Sequence, residues 1–184
     1  MEKGVGIEGV SILLSDRADH LKYLFGGSLE KVAGSAKRFG DMLSVVPESK
    51  IAVSSVPEGA ISSMHDPTEG GLAGALHEVA DAANRGFEID EESIPISEET
   101  KLVANHYGVS ALELISSGAL LLAVDPSHAD RLLLALQNGN ILASKIGVVV
   151  EDANVRSLRG RNGVTRPLPR PEQDALWSCV DKQQ

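Results

Sequence analysis

Apolar positions along the 184-residue chain recur at both helical and strand spacing. The clearest helical register is Leu72, Ala75, Leu76, Val79, Ala80 and Ala83, with His77, Glu78 and Asp81 between them. Asn84-Arg85-Gly86 ends that helix, with Gly86 as the expected left-handed cap. Upstream, the pattern predicts a short helix over Asp16–Leu24 and a break at Gly26-Gly27. A second helix follows, with Ser28 as N-cap, Leu29, Val32, Ala33, Ala36 and Phe39 on one face, and Gly40 near its end. Pro47 opens a helical turn through Val53, Pro57-Glu58-Gly59 is a turn, and Ala60–Met64 is strand-like. Downstream, Phe87-Glu88-Ile89 alternates as a strand, and Ser97-Glu98-Glu99 starts a polar helix carrying Leu102, Val103 and Tyr107. Ala119–Val124, the longest apolar run, predicts a buried strand, and Asp125-Pro126 caps a helix through Leu136. Ile146–Val150 predicts another buried strand, and Val155–Leu158 with Val164–Leu168 predicts a hairpin. Strands separated by helices imply an α/β fold, a layered sheet with helices packed on it.

Composition narrows the function. Seventeen Lys and Arg against 26 Asp and Glu give a net charge of −9, and aromatic residues make up 3%. A surface for nucleic acid needs a basic excess, and stacking on single strands needs aromatic rings, so nucleic acid is not an expected partner. One cysteine, Cys179, excludes an internal disulfide and a cysteine-based metal cluster, and no metal site is expected. No apolar stretch approaches the ~20 residues needed to span a bilayer. Met1–Gly6 lack a hydrophobic leader segment, which makes cytoplasmic the expected location.

The chemistry concentrates in Met64-His65-Asp66-Pro67-Thr68-Glu69-Gly70-Gly71-Leu72. One reading is structural: Asp66 as N-cap, Pro67 at the first helical position and Glu69 three residues after the cap form a capping-box-like start. The other reading takes up the paired glycines. Each costs up to about 1 kcal/mol relative to alanine in a helical turn, so two together suggest that something approaches the backbone closely. Free N–H groups at a helix start bind phosphate or carboxylate. Spacing alone leaves both readings open.

This run, with Gly6-Ile7-Glu8-Gly9 upstream and Ile146-Gly147 downstream, resembles the C-terminal domain of the AIR synthetase superfamily, and its Asp-Pro-Thr-x-Gly-Gly form is most similar to the HypE branch. The order Phe87-Glu88-Ile89, Ile94-Pro95-Ile96 and Gly118 before a strand agrees. The resemblance implies an α/β/α domain with a mixed, about four-stranded sheet, working in a homodimer beside an N-terminal domain that binds ATP and Mg. It implies that Asp66, Thr68, Gly70 and Gly71 line a cleft, with Ser117-Gly118 as a second wall. His65, by its place before the glycine turn rather than by the resemblance, is expected to contact a phosphate or act as an acid. The substrate would be a small phosphorylated or amide compound. In the HypE branch the reaction is ATP-dependent dehydration of a carboxamide carried on a C-terminal cysteine.

Two departures stand out. No Walker-type Gly-x-x-x-x-Gly-Lys-Ser/Thr and no upstream acidic cluster are present, so no cofactor is expected in this chain and no ATP turnover from it alone. ATP and Mg would come with an ATP-binding domain in the same or another chain. Cys179 is followed by Val180-Asp181-Lys182-Gln183-Gln184 rather than ending the chain, which favours an apolar contact beside Trp177 over a carrier thiol.

The expected organisation is a linker-like segment at 1–10, including the glycine-rich Gly4–Val10, a domain at 11–168 and an irregular tail at 169–184. His77 and Asp81 are expected as a solvent-facing pair. His65 reads equally as a strand-end hydrogen bonder. Glu88, Asp90, Glu91 and Glu92 read as a solvated face, and Arg156, Arg159, Arg161, Arg166 and Arg170 as a solubilised hairpin or a docking patch. The leading functional reading is a substrate- or phosphate-binding C-terminal domain that is not catalytic by itself. The alternative is a non-catalytic assembly or interaction module that retains the fold.

Overall fold

A computed structural model describes residues 3–160 and 162–181; Arg161 of the arginine group and the residues after Asp181 lie outside them. The helices are α1 (Ile7–Asp16), α2 (Ala18–Leu21), α3 (Leu29–Gly40), α4 (Val46–Ser55), α5 (Gly71–Ala83), α6 (Glu98–Tyr107), α7 (Pro126–Asn138) and α8 (Ala175–Asp181). The strands are β1 (Ile61–His65), β2 (Gly86–Asp90), β3 (Leu121–Val124), β4 (Gly147–Val150), β5 (Arg156–Arg159) and β6 (Thr165–Pro167). They form an antiparallel β1–β3 pair and a four-stranded sheet in the order β4-β2-β5-β6. That sheet is mixed: β2 runs parallel to β5, while β4 and β6 are antiparallel to their neighbours. The expected mixed α/β architecture is present.

Three apolar clusters hold it together. Ile7, Val10 and Leu14 of α1 pack on Val32 and Phe39 of α3, on α6 and on α8. Leu72 and Leu76 of α5 pack on Phe87, Ile89 and Leu158 of the larger sheet. Ala52 of α4 and Leu132 of α7 cover Ile61, Leu122 and Val124 of the smaller pair.

Ser28 and Ser97 act as the expected N-caps, accepting from the Lys31 and Thr100 N–H groups. Several expectations need correction. Gly4–Val10 is not linker: α1 starts at Ile7, and Ile7 and Val10 are fully buried. Its glycines permit close approach. A Cβ at Gly4 would stand 2.9 Å from the Pro95 carbonyl oxygen, and one at Gly9 3.3 Å from Leu114. The Asp16–Leu24 helix is split into α2 and a 3-10 turn at Lys22–Phe25. The left-handed residue after α5 is Asn84 (φ 50°), whereas Gly86 begins β2, where a Cβ would meet the Asp152 oxygen at 2.1 Å.

Burial also differs from the pattern. Leu121–Val124 is half-buried, because its sheet has only two strands. Val148 and Val149 are exposed on edge strand β4. The tail is not irregular throughout: α8 places Ala175, Leu176 and Cys179 in the α1 cluster, while Trp177 faces outward. Among the described residues, no helix is long and apolar enough to cross a membrane.

Candidate functional site

β1 ends at His65 and α5 begins at Gly71, so residues 66–70 form the turn between them. Asp66, Thr68 and Glu69 are exposed, and Pro67 is buried. The capping-box expectation fails because α5 starts later than the Asp66 cap requires. Gly70 is the N-cap, left-handed at φ 76°, and no side chain caps the helix from within this turn. The turn closes when the Gly71 N–H donates to the Thr68 carbonyl at 3.0 Å.

The adjacent glycines have different physical reasons. Gly71 has φ 60°, and a Cβ there would stand 2.5 Å from both the Leu112 and Leu114 carbonyl oxygens. Its close approach is to the chain's own 112–114 segment. At Gly70 a Cβ would only touch Gly74 and Pro171 at 3.6 and 3.7 Å, and the left-handed backbone is what favours glycine there. The Gly70 N–H donates to Asp174 Oδ2 at 2.8 Å, while Oδ1 of the same carboxylate accepts from the Leu176 N–H at 2.8 Å. The helix start does grip negative charge, and the charge comes from the tail.

That carboxylate belongs to a strap, residues 168–174, lying along α5. His77 is buried, not solvent-facing, and its Nε2–H donates to the Leu168 carbonyl at 2.9 Å. Burial lowers the His77 pKa below 6.5, with the Leu168 hydrogen bond opposing and the positive charges of Arg170 and Arg156 adding to the fall. Asp81 pairs with Arg156 at 2.8 Å and with Arg170, not with His77. The hydrogen bond from Arg156 is the largest cause of a lowered Asp81 pKa. The acidic run is likewise paired with the hairpin, Asp90 with Arg159 at 2.7 Å and Glu91 with Arg166 at 3.0 Å. These arginines and acids tie the hairpin and strap to the domain.

The remaining predicted residues surround the turn. His65 Nε2 meets Glu78 Oε2 at 2.7 Å, anchoring the end of β1 to α5. In the antiparallel β1–β3 register His65 lies opposite Leu121, which places Ser117-Gly118 and the 66–70 turn toward the same end of the pair. Gly118 has φ 95°, and a Cβ there would stand 2.6 Å from the Met42 carbonyl oxygen. Beyond Met42 and Leu43, the Ser44 carbonyl accepts from Lys3 Nζ at 2.6 Å, and Lys3 also pairs with buried Glu48 at 2.6 Å. Glu48 Oε2 has no hydrogen-bond partner among the described residues. Sequence reasoning missed Lys3, Glu48 and Asp174. Only Asp174 carried a local signal, as an acid directly before the apolar Ala175-Leu176-Trp177 run. Among the described residues, no group of three or more His, Cys, Asp or Glu side chains gathers to hold a metal.

Residues 3–158 match the family described as AIR synthase related protein, C-terminal domain. A putative hydrogenase expression/formation protein of Methanocaldococcus jannaschii is 33% identical over 69% of this chain and 40% of its own length. The carbamoyl dehydratase HypE of Escherichia coli is 34% identical over 63% of this chain and 35% of its own length. A crystal structure of E. coli HypE superposes with a TM-score of 0.71 at 29% identity, covering 92% of this chain and 48% of that one. The chain thus spans well under half the length of these curated relatives.

Proposed function

Because the chain belongs to the AIR synthase related family as its C-terminal domain, we propose that it supplies the substrate-binding wall of a HypE-like, ATP-dependent dehydratase. The E. coli relative is a carbamoyl dehydratase, and a similar hydrogenase maturation protein HypE has been solved in complex with ATP; both support this reading. The observation that carries it is the β1–β3 pairing, whose register brings the turn after His65 and Ser117-Gly118 to the same end of the pair, with Asp66, Thr68 and Glu69 exposed. The Thr68 and Ser117 hydroxyls are suited to donate to phosphoryl or amide oxygens, and the Asp66 carboxylate to accept from an amide N–H. Gly70, Gly71 and Gly118 shape the backbone behind them.

The chemistry is dehydration of a carboxamide. The amide oxygen attacks the γ-phosphorus of ATP, ADP leaves, and the amide nitrogen gives up one proton. Loss of phosphate with the second proton then yields a nitrile. Oriented donors stabilise the negative charge that develops on the transferred group. The ATP-binding domain comes from the same or another polypeptide, and the working unit is a dimer.

The test combines this chain with the separately produced ATP-binding half of a HypE relative and follows Mg-dependent ATP hydrolysis in the presence of a carboxamide thioester. The expected result is no turnover from this chain alone, turnover in the mixture, and loss of at least about tenfold with Asp66→Asn or Thr68→Ala. Turnover in the mixture that both variants leave unchanged overturns the assignment of the turn.

A further inference from the structure

Away from this turn, two histidines meet on the opposite, helical part of the domain. His20 Nε2 and His106 Nε2 are 3.1 Å apart although the residues are 86 positions distant in sequence. Tyr23 Oη lies 2.6 Å from His106 Nδ1, on the other side of the same ring. The His106 and Tyr23 rings meet edge-on with centroids 5.6 Å apart, and those of His106 and His20 are tilted by 52° at 5.1 Å. His20 is exposed, His106 half-buried and Tyr23 57% exposed, so the nitrogens can be reached from solvent.

We propose that His20 and His106 form a two-histidine site for a late first-row divalent metal ion such as zinc, with Tyr23 orienting the His106 ring and water completing the coordination. The separation is what two ligands on one ion need. Nitrogens about 2.0–2.1 Å from a zinc ion stand about 3.3 Å apart at the tetrahedral angle and about 2.9 Å apart at a right angle. The observed 3.1 Å falls between these values. Imidazole suits such ions, whereas magnesium and calcium prefer oxygen.

The second shell agrees. When Nε2 of His106 binds a metal, the ring proton sits on Nδ1, and a ligating histidine holds its orientation by donating that proton to a partner. Tyr23 Oη occupies that place, and a phenol oxygen accepts as readily as it donates. Without metal the same atoms form a relay, Tyr23 O–H donating to Nδ1 and His106 Nε2–H donating to His20 Nε2. One set of rotamers therefore serves both states. His106 also stands in the last turn of α6, the negative end of the helix dipole, which favours a cation. A bound ion would tighten the link between α2 and α6, which the His20–His106 contact already joins.

Calorimetric titration of the metal-free chain with zinc chloride tests this. The expected result is one ion per chain, with affinity lowered at least about tenfold by His20→Ala and by His106→Ala, and less by Tyr23→Phe. Binding unchanged in both alanine variants overturns the proposal. Should a variant unfold, histidine side-chain nitrogen NMR on the wild-type chain decides. A zinc-dependent shift at Nε2 of both His20 and His106 supports the site, and shifts confined to His65 or His128, which already face Glu78 and Asp125, overturn it.

Discussion

The start of α5 and the turn leading into it adjoin in sequence, yet they are built in opposite ways. At the helix start every unusual residue is explained from inside the molecule. Gly71 is seated on two backbone carbonyls, and Gly70 gives its N–H to Asp174. A few residues earlier, Asp66 and Thr68 are exposed, and their side chains make no hydrogen bond among the described residues, the Thr68 carbonyl alone being taken by the Gly71 N–H. A glycine pair is thus an ambiguous sign of a ligand: at Gly71 it records a crossing of the protein's own backbone, and the polar residues beside it carry the functional reading.

That contrast is open to attack, most forcefully at Gly71. Gly71→Ala is expected to destabilise by about 3 kcal/mol, combining left-handed strain with overpacking against Leu112 and Leu114. Gly70→Ala is expected to cost about 1–2 kcal/mol, from backbone strain alone. Urea denaturation of the two variants checks the difference, and equal losses would erase the distinction between the glycines. Between these falls Asp174→Ala, which strips an acceptor from two N–H groups at once and is expected to cost about 2–3 kcal/mol. It also vacates the mouth, so added phosphate should move the Gly70 amide resonance in this variant and not in the wild type.

His77 gives a smaller effect with a definite sign. Its folded pKa lies below 6.5, so the unfolded chain takes up the proton first as pH falls. This contribution to stability is intact above about pH 6.5 and declines below it. His77→Gln, whose amide can still donate to Leu168, should flatten the melting temperature between pH 7 and 5 relative to the wild type. The smallest effect is expected at the outer turn: Asp66→Asn and Thr68→Ala should shift stability by less than about 0.5 kcal/mol. A large loss at either would move the turn from a binding surface to a structural part.

Much of the architecture was legible locally. Ser28 and Ser97 announce helix starts, and the 72–83 register gives α5 nearly to the residue, because caps and periodicity act over a few positions. What escaped depends on distant partners. His77 sits four residues after Ala73 and three before Ala80, on the buried face, so the spacing was visible, but the carbonyl that satisfies it comes from Leu168. Asp174 meets Gly70 across 104 positions, and no local pattern specifies such a contact. The glycine-rich opening misled for the same reason: flexibility and close packing leave one compositional mark, and Pro95, Leu114 and Ile115 are needed to tell them apart.

The strap has a practical reach. The stretch that matches the family ends at 158, but the fastening of α5 continues through Leu168, Arg170 and Asp174, and α8 fills the first core. Trimming the gene to the family boundary would delete β6 and leave the Gly70 amide, the His77 imidazole and the α1 cluster bare, so the smallest version that expresses as a well-packed protein should run to Asp181.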